Sequence, residues 1–138
     1  EASADLRYVN VDGDTMTGNL TVPILIANNV SLETTDLSSG EATTNFPFPT
    51  TLYEFSKTTY NSAEVIITAT EGSNRHISKL LIVHNGTTAM ATEFATIYTN
   101  AVLATYAVTI TTGNVVINAT AASSSLTTYQ IAATLIKD

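Results

Sequence analysis

His76 and His84 are the two histidines of the chain, and they stand eight residues apart. In an extended strand that spacing puts both on one face but roughly 26 Å apart. They are too far from each other to share a metal ion. No third ligand set or nucleophile arrangement stands out around either one. Each is expected to sit at a strand end beside a turn, without a catalytic or metal role.

The carboxylates are the next groups that could do chemistry. Glycoside hydrolysis needs two that converge on one bond. Glu54, Glu64, Glu71 and Glu93 fall on expected strands or their ends, and their spacing singles out no pair. Solvated strand-face charges are the expectation. Glu71 and Arg75 flank Gly72-Ser73-Asn74 and could pair across that turn. Asp12-Gly13-Asp14 resembles the start of a calcium loop. Such a loop needs an oxygen ligand at its fifth position, glycine at its sixth and glutamate at its twelfth. Counting from Asp12, those positions hold Met16, Thr17 and Pro23. The cluster therefore reads as a turn. No catalytic, cofactor or metal residue is assigned. The rings Tyr53, Tyr60, Tyr98, Tyr106 and Tyr129, with Phe55 and Phe94, could stack on a sugar. The chain has no tryptophan, a favoured stacking residue. Several of these tyrosines fall on the apolar side of their strands, which points to core packing with the hydroxyl at the rim.

The elements that would carry these groups are strands. From Thr51 onward short apolar segments recur between turn signals. The expected strands are Leu52–Ser56, Ala63–Glu71, Arg75–His84, Ala89–Tyr98, Ala104–Thr111, Val115–Thr120 and Thr127–Ile136. Asn85-Gly86 is the strongest hairpin signal, because both residues tolerate positive φ. Tyr106, Val108 and Ile110 share one face, with Thr105, Thr109 and Thr111 opposite. Tyr129, Ile131, Ala133 and Leu135 alternate in the same way with Thr128, Gln130 and Thr134. Leu80 to Val83 is continuously apolar and reads as a central strand buried on both faces. Residues 51–138 are thus expected to form an all-β, antiparallel sandwich, jelly-roll-like or immunoglobulin-like.

Residues 1–50 differ. They hold all three prolines and several turn clusters. One strand is expected there, Leu20–Ala27, interrupted by Pro23. Phe46-Pro47-Phe48-Pro49 reads as an extended connector, since a residue before proline avoids the helical region. This part is expected to be an arm that leans on the sandwich or on a neighbour. Its assembly residues would be Leu20, Val22, Ile24, Ile26, Phe46 and Phe48.

Composition narrows the function. Hydrophobic residues make up 44 % of the 138, enough for a packed core, while charged residues make up 12 %, about half the usual share. So few charges suit a chain whose surface is covered by copies or partners better than a free monomer. The net charge is −7, and the five basic residues Arg7, Lys57, Arg75, Lys79 and Lys137 are scattered. Nucleic-acid binding and docking on anionic membranes are disfavoured. No apolar run is long enough for membrane insertion as a helix. The chain has no cysteine, so disulfides and thiolate metal sites are excluded.

Gly13 to Val22 reads GDTMTGNLTV. This phrase, just upstream of a β-rich module, resembles one that recurs in fibre and other structural proteins of tailed bacteriophages. The β-rich C-terminal half resembles modules in virion proteins of phages that infect marine cyanobacteria. The resemblance implies a virion component such as a fibre, an appendage or a capsid decoration, with other virion proteins as partners. In related fibres the segment precedes a distal module and lies in a trimer, so a homotrimer is implied. The phrase occurs once here, unlike in a long repetitive fibre. Two other classes fit the composition: a carbohydrate-binding module that recognises a host surface glycan, and a pilus-like cell-surface subunit.

Overall fold

The computed structural model describes residues 19, 21–45 and 47–138. Among them nine strands form two sheets. They are β1 (Asn29–Ser31), β2 (Thr35–Thr44), β3 (Thr50–Ser56), β4 (Tyr60–Glu71), β5 (Asn74–His84), β6 (Ala89–Tyr98), β7 (Ala104–Ile110), β8 (Asn114–Ala121) and β9 (Thr127–Lys137). The larger sheet runs β1-β2-β9-β4-β5-β6 and the smaller runs β3-β8-β7. Every pairing is antiparallel. The fold is an all-β antiparallel sandwich.

Alternation decides which residues go inside. On β4, Ala63, Val65, Ile67 and Ala69 point inward and are buried. On β9, Tyr129, Ile131, Ala133 and Leu135 do the same, as the sequence pattern requires. From the small sheet Leu52, Phe55, Val115, Ile117 and Ala119 meet them in one core cluster. Burial of these side chains supplies the main driving force, about 1.5–3 kcal/mol for each large one.

The turns follow their residues. Gly72 and Ser73 close the β4–β5 hairpin, with Gly72 at φ +57°, a conformation open to glycine. In the β5–β6 loop Gly86 takes φ +88°, and the Asn85 Oδ1 accepts from the backbone N–H of Thr87 and Thr88. The end of β9 is tied to other loops. The Lys137 N–H donates to Thr34 O at 2.9 Å, and the Asp138 N–H donates to Thr59 O at 3.0 Å.

All seven strands expected beyond Thr51 are present, with ends shifted by at most a few residues. Three other expectations are corrected. Leu80–Val83 is not buried on both faces: Leu80 and Ile82 are buried, but Leu81 is 51 % and Val83 55 % exposed. Within one chain, the described part of the expected strand Leu20–Ala27 is not paired as a strand. Residues 21–27 take part in no sheet pairing, and Leu20 lies outside the described residues. Pro23 removes a donor there, and no strand among the described residues pairs with the segment. Conversely, β1 and β2 occupy residues where the sequence suggested only turns. β2 escaped notice because its inward positions are Asp36, Ser38, Gly40, Ala42 and Thr44, which carry no apolar signal. Gly40 fits because the Tyr53 ring lies over it; a Cβ there would come within 3.1 Å of Tyr53 Cδ2.

Candidate functional site

The most polar arrangement inside the sandwich is built on β5 and β6. His76 and Ser78 are two residues apart on β5, so both face inward, and both are 0 % exposed. Opposite them β6 carries a bulge, where the register slips between Ile77 and Lys79. Ala95 stands in this bulge at φ +53°, among the described residues the single non-glycine with positive φ. The bulge brings Glu93 and Thr96 together on Ser78. The Ser78 hydroxyl donates to Glu93 Oε1 at 2.7 Å and lies 3.0 Å from Thr96 Oγ1.

Proton positions follow from these partners. The backbone N–H of Leu103 donates to His76 Nδ1 at 3.4 Å. The ring proton therefore sits on Nε2, which donates to Ser78 Oγ at 3.2 Å. Burial pushes the His76 pKa below its ordinary value, and the charge of Glu93 opposes this in part. The imidazole is neutral, stacked on Tyr106 with centroids 6.1 Å apart, and edge-on to Tyr98. Serine, histidine and glutamate occur together here, but not in a nucleophile's order. In a catalytic triad the imidazole accepts the serine proton and the carboxylate holds the far ring nitrogen. Here the serine proton goes to the carboxylate and the imidazole donates to the serine. The cluster joins the bulged edge strand to the core.

A second cluster lies at the other end of the large sheet. Asp36 of β2 is buried and accepts from the Tyr60 hydroxyl at 2.5 Å. Lys137 Nζ lies 2.9 Å from Asp36 Oδ1, while its directed hydrogen bonds go to Leu32 O and Ser31 Oγ. The hydrogen bond from Tyr60, then Lys137, lowers the Asp36 pKa to about 2.

The outer face of the large sheet divides sharply. Over β2, β9 and β4 it presents mainly Thr, Ser, Gln and Glu with a few aliphatic residues. Over β5 and β6 it presents Ile77, Leu81, Val83, Met90, Phe94 and Ile97, all exposed. The pairings Val83↔Met90 and Ile77↔Ile97 set these side chains in adjoining rows. A depression of about 520 Å³ lies among Leu81, Val83 and Met90. The ion pair of Lys79 with Glu64, 3.3 Å long and half-exposed, joins the β5 side of this patch to β4. β6 ends the sheet, and no strand among the described residues pairs with its far side.

The residues singled out by sequence fare as follows. His84 is half-buried at its strand end. Its Nδ1 accepts from the Gly86 N–H at 3.0 Å, so Nε2 donates to Tyr60 O. Glu71 and Arg75 do not pair. The register sets Arg75 opposite Thr70; its guanidinium donates to Gly72 O and Asn74 O, and Glu71 accepts from Ser123 at 2.6 Å. The ring platform does not assemble, because Phe55 and Tyr129 are in the core and Tyr53, Tyr60 and Tyr106 pack against it. Of the assembly residues, Val22, Ile24, Ile26 and Phe48 are exposed. Leu20, Phe46 and the Asp12-Gly13-Asp14 turn lie outside the described residues. Among the described residues no three His, Asp or Glu side chains gather as a metal site. Sequence reasoning missed Ser78 and Asp36, since a lone polar residue on a strand carries no spacing signal. It also missed the exposed row on β5 and β6, where strict alternation could have found Leu81 and Val83.

No family model matches the chain. No curated protein matches it by sequence either. Among solved structures, the crystal structure of the Acinetobacter phage vB_ApiP_P1 tailspike protein superposes with a TM-score of 0.41 at 12 % identity, over 87 % of this chain and 25 % of that one. The chain thus spans about a quarter of that tailspike's length. At this level of agreement, the strand pairings themselves define the fold.

Proposed function

We propose that the chain is a structural component of a tailed-phage virion, in a fibre, an appendage or a capsid decoration, and that it works by protein–protein assembly. The virion setting comes from the resemblance of GDTMTGNLTV to phage fibre sequences. The assembly role is carried by one observation: the apolar outer face of β5 and β6 beside an unpaired edge strand. A lone soluble protein blunts such an edge with lysines, proline or a covering loop. β6 has one charged residue, Glu93, and it is turned toward Ser78. A contiguous exposed apolar patch of this kind marks an interaction surface. The partners are copies of the chain, as the trimer in the resemblance implies, and other virion proteins. The reading assigns no catalysis, because the one Ser-His-Glu grouping among the described residues has its serine proton committed to a carboxylate. Recognition of a host glycan is less favoured, since most of the rings that could stack on a sugar are committed to the core.

Mass spectrometry of purified particles, with antibody labelling viewed by electron microscopy, tests the setting. Stoichiometric copies at a defined position are expected. Absence of the chain from intact particles overturns the virion reading.

A further inference from the structure

We infer that residues Thr21–Ala27 of one copy pair with the open edge of β6 in a second copy and extend its large sheet by one strand. The inference rests on the assembly reading above, though not on the virion setting. Among the described residues two elements lack cover, and each has what the other needs. The segment Thr21–Ala27 exposes Ile24, Leu25 and Ile26, the last at 93 %, and makes no sheet pairing. β6 offers unpaired backbone groups on its far side, with Met90 and Phe94 exposed next to them. Neither satisfies the other within one chain.

Sheet order supplies the geometry. β1, into which the segment leads, is one edge of the large sheet, and β6 is the other. The six strands alternate in direction, so β1 and β6 run oppositely. A strand that continues the sense of β1 and lies beside β6 of the next copy is therefore antiparallel to it. The alternation of the sheet continues unbroken from copy to copy. Such a contact is head-to-tail, and a rotation that closes it gives a ring.

Length and charge agree. The bulge at Ala95 limits regular pairing to Ala89–Phe94, one residue shorter than the segment. Pro23 is acceptable at the outside of an added edge strand. In the segment Val22, Ile24 and Ile26 share one face. On the outer side they would stand next to Met90 and Phe94 as cross-strand apolar pairs. Residues 19–32 contain no charge, and β6 contains one. The contact thus avoids the repulsion that a net charge of −7 sets up elsewhere between copies. Pairing Thr21–Ala27 with Ala89–Phe94 and covering these side chains buries on the order of 1,000 Å², the size at which specific contacts begin.

The test uses the full chain in two variants, both changed at exposed positions. One carries Ile24→Asp with Ile26→Asp, and the other Met90→Lys with Phe94→Lys. Circular dichroism confirms that each keeps the strand signal, and light scattering after gel filtration gives molar mass. The wild type is expected as an oligomer of at least twice the chain mass, and each variant alone as a monomer. Mixed one to one, the variants are expected to form a dimer, since one supplies an intact edge and the other an intact segment. A monomeric wild type at the highest concentration reached overturns the inference, and so does either variant keeping the wild-type mass. A mixture that stays monomeric also overturns it. A monomeric chain found in particles would end strand exchange alone. An exchanging chain absent from particles would end the virion setting alone.

Discussion

Tyr60 and Asp36 share a hydrogen bond of 2.5 Å, although they stand on β4 and β2, with β9 between them. The bond spans the width of a strand and ties the first long strand of the large sheet to its centre. It lowers the Asp36 pKa to about 2 and raises that of Tyr60 to about 12. In both cases it is the largest cause.

This bond predicts how stability changes with pH. The native carboxyl is held below its ordinary value of 3.8, so its contribution is present above that pH and fades as pH falls toward about 2. The native phenol is held above its ordinary value of 10, so its contribution is present below that pH and fades as pH rises through about 12. Tyr60→Phe is expected to weaken the alkaline limb, to which the buried hydroxyls of Tyr106 and Tyr129 also contribute, and to shrink the acid one, leaving the share due to Lys137 and Ser31. Melting temperatures measured across both windows check this. An acid limb as steep in the variant as in the wild type would count against the bond.

His76 predicts a second dependence, in the range between the other two. Its folded pKa lies below the ordinary 6.5, so the unfolded chain takes up the proton first as pH drops. Stability is full above that value and declines below it. The proton on Nε2 also needs Ser78. Ser78→Ala leaves that buried donor without its partner and is expected to cost about 1–3 kcal/mol in urea unfolding near neutral pH. A loss within error of zero would mean that the cluster does not join β6 to the core.

At Ala95 the backbone is the issue. A β-branched residue normally suits an exposed strand, yet Ala95→Val is expected to destabilise by about 1–2 kcal/mol, because φ is positive there. Ala95→Gly is expected to be neutral or to stabilise by up to about 1 kcal/mol. Chemical denaturation of the pair decides it. The reverse order would show that the bulge is not strained.

Gly40 tests packing between the sheets. With the Tyr53 ring 3.1 Å from where a Cβ would stand, Gly40→Ala requires the ring to yield by a few tenths of an ångström. Gly40→Val requires more and is expected to cost about 1–3 kcal/mol. Tyrosine fluorescence during unfolding reports both. Equal stability of all three chains would show that the ring moves aside freely.

Strands with apolar alternation were legible in the sequence. β4, β7 and β9 carry it plainly, and both ends of β6 agree with the sequence reading. Wherever burial rests on something other than apolar side chains, the pattern was silent. β2 fills its inward positions with a hydrogen-bonded aspartate, a serine, a glycine under a ring, an alanine and a threonine. No periodicity of hydrophobicity can show that. The run Leu80–Val83 misled for the opposite reason: it is apolar on both sides, but on one side no layer of the described residues lies above it. Sequence shows that a side chain avoids water, not which surface will cover it. The cluster around Ser78 was illegible because it depends on a bulge that brings Glu93 and Thr96 to one atom.

The ties of Lys137 and Asp138 to Thr34 and Thr59 have a practical consequence. They anchor residues 137 and 138 between the β1–β2 turn and the β3–β4 turn, at the end of a strand inside the sheet. A fluorescent reporter fused after Asp138 would therefore start three strands from β6 and leave its edge open. Two such reporters of different colour would give the distance between neighbouring copies without disturbing how they meet.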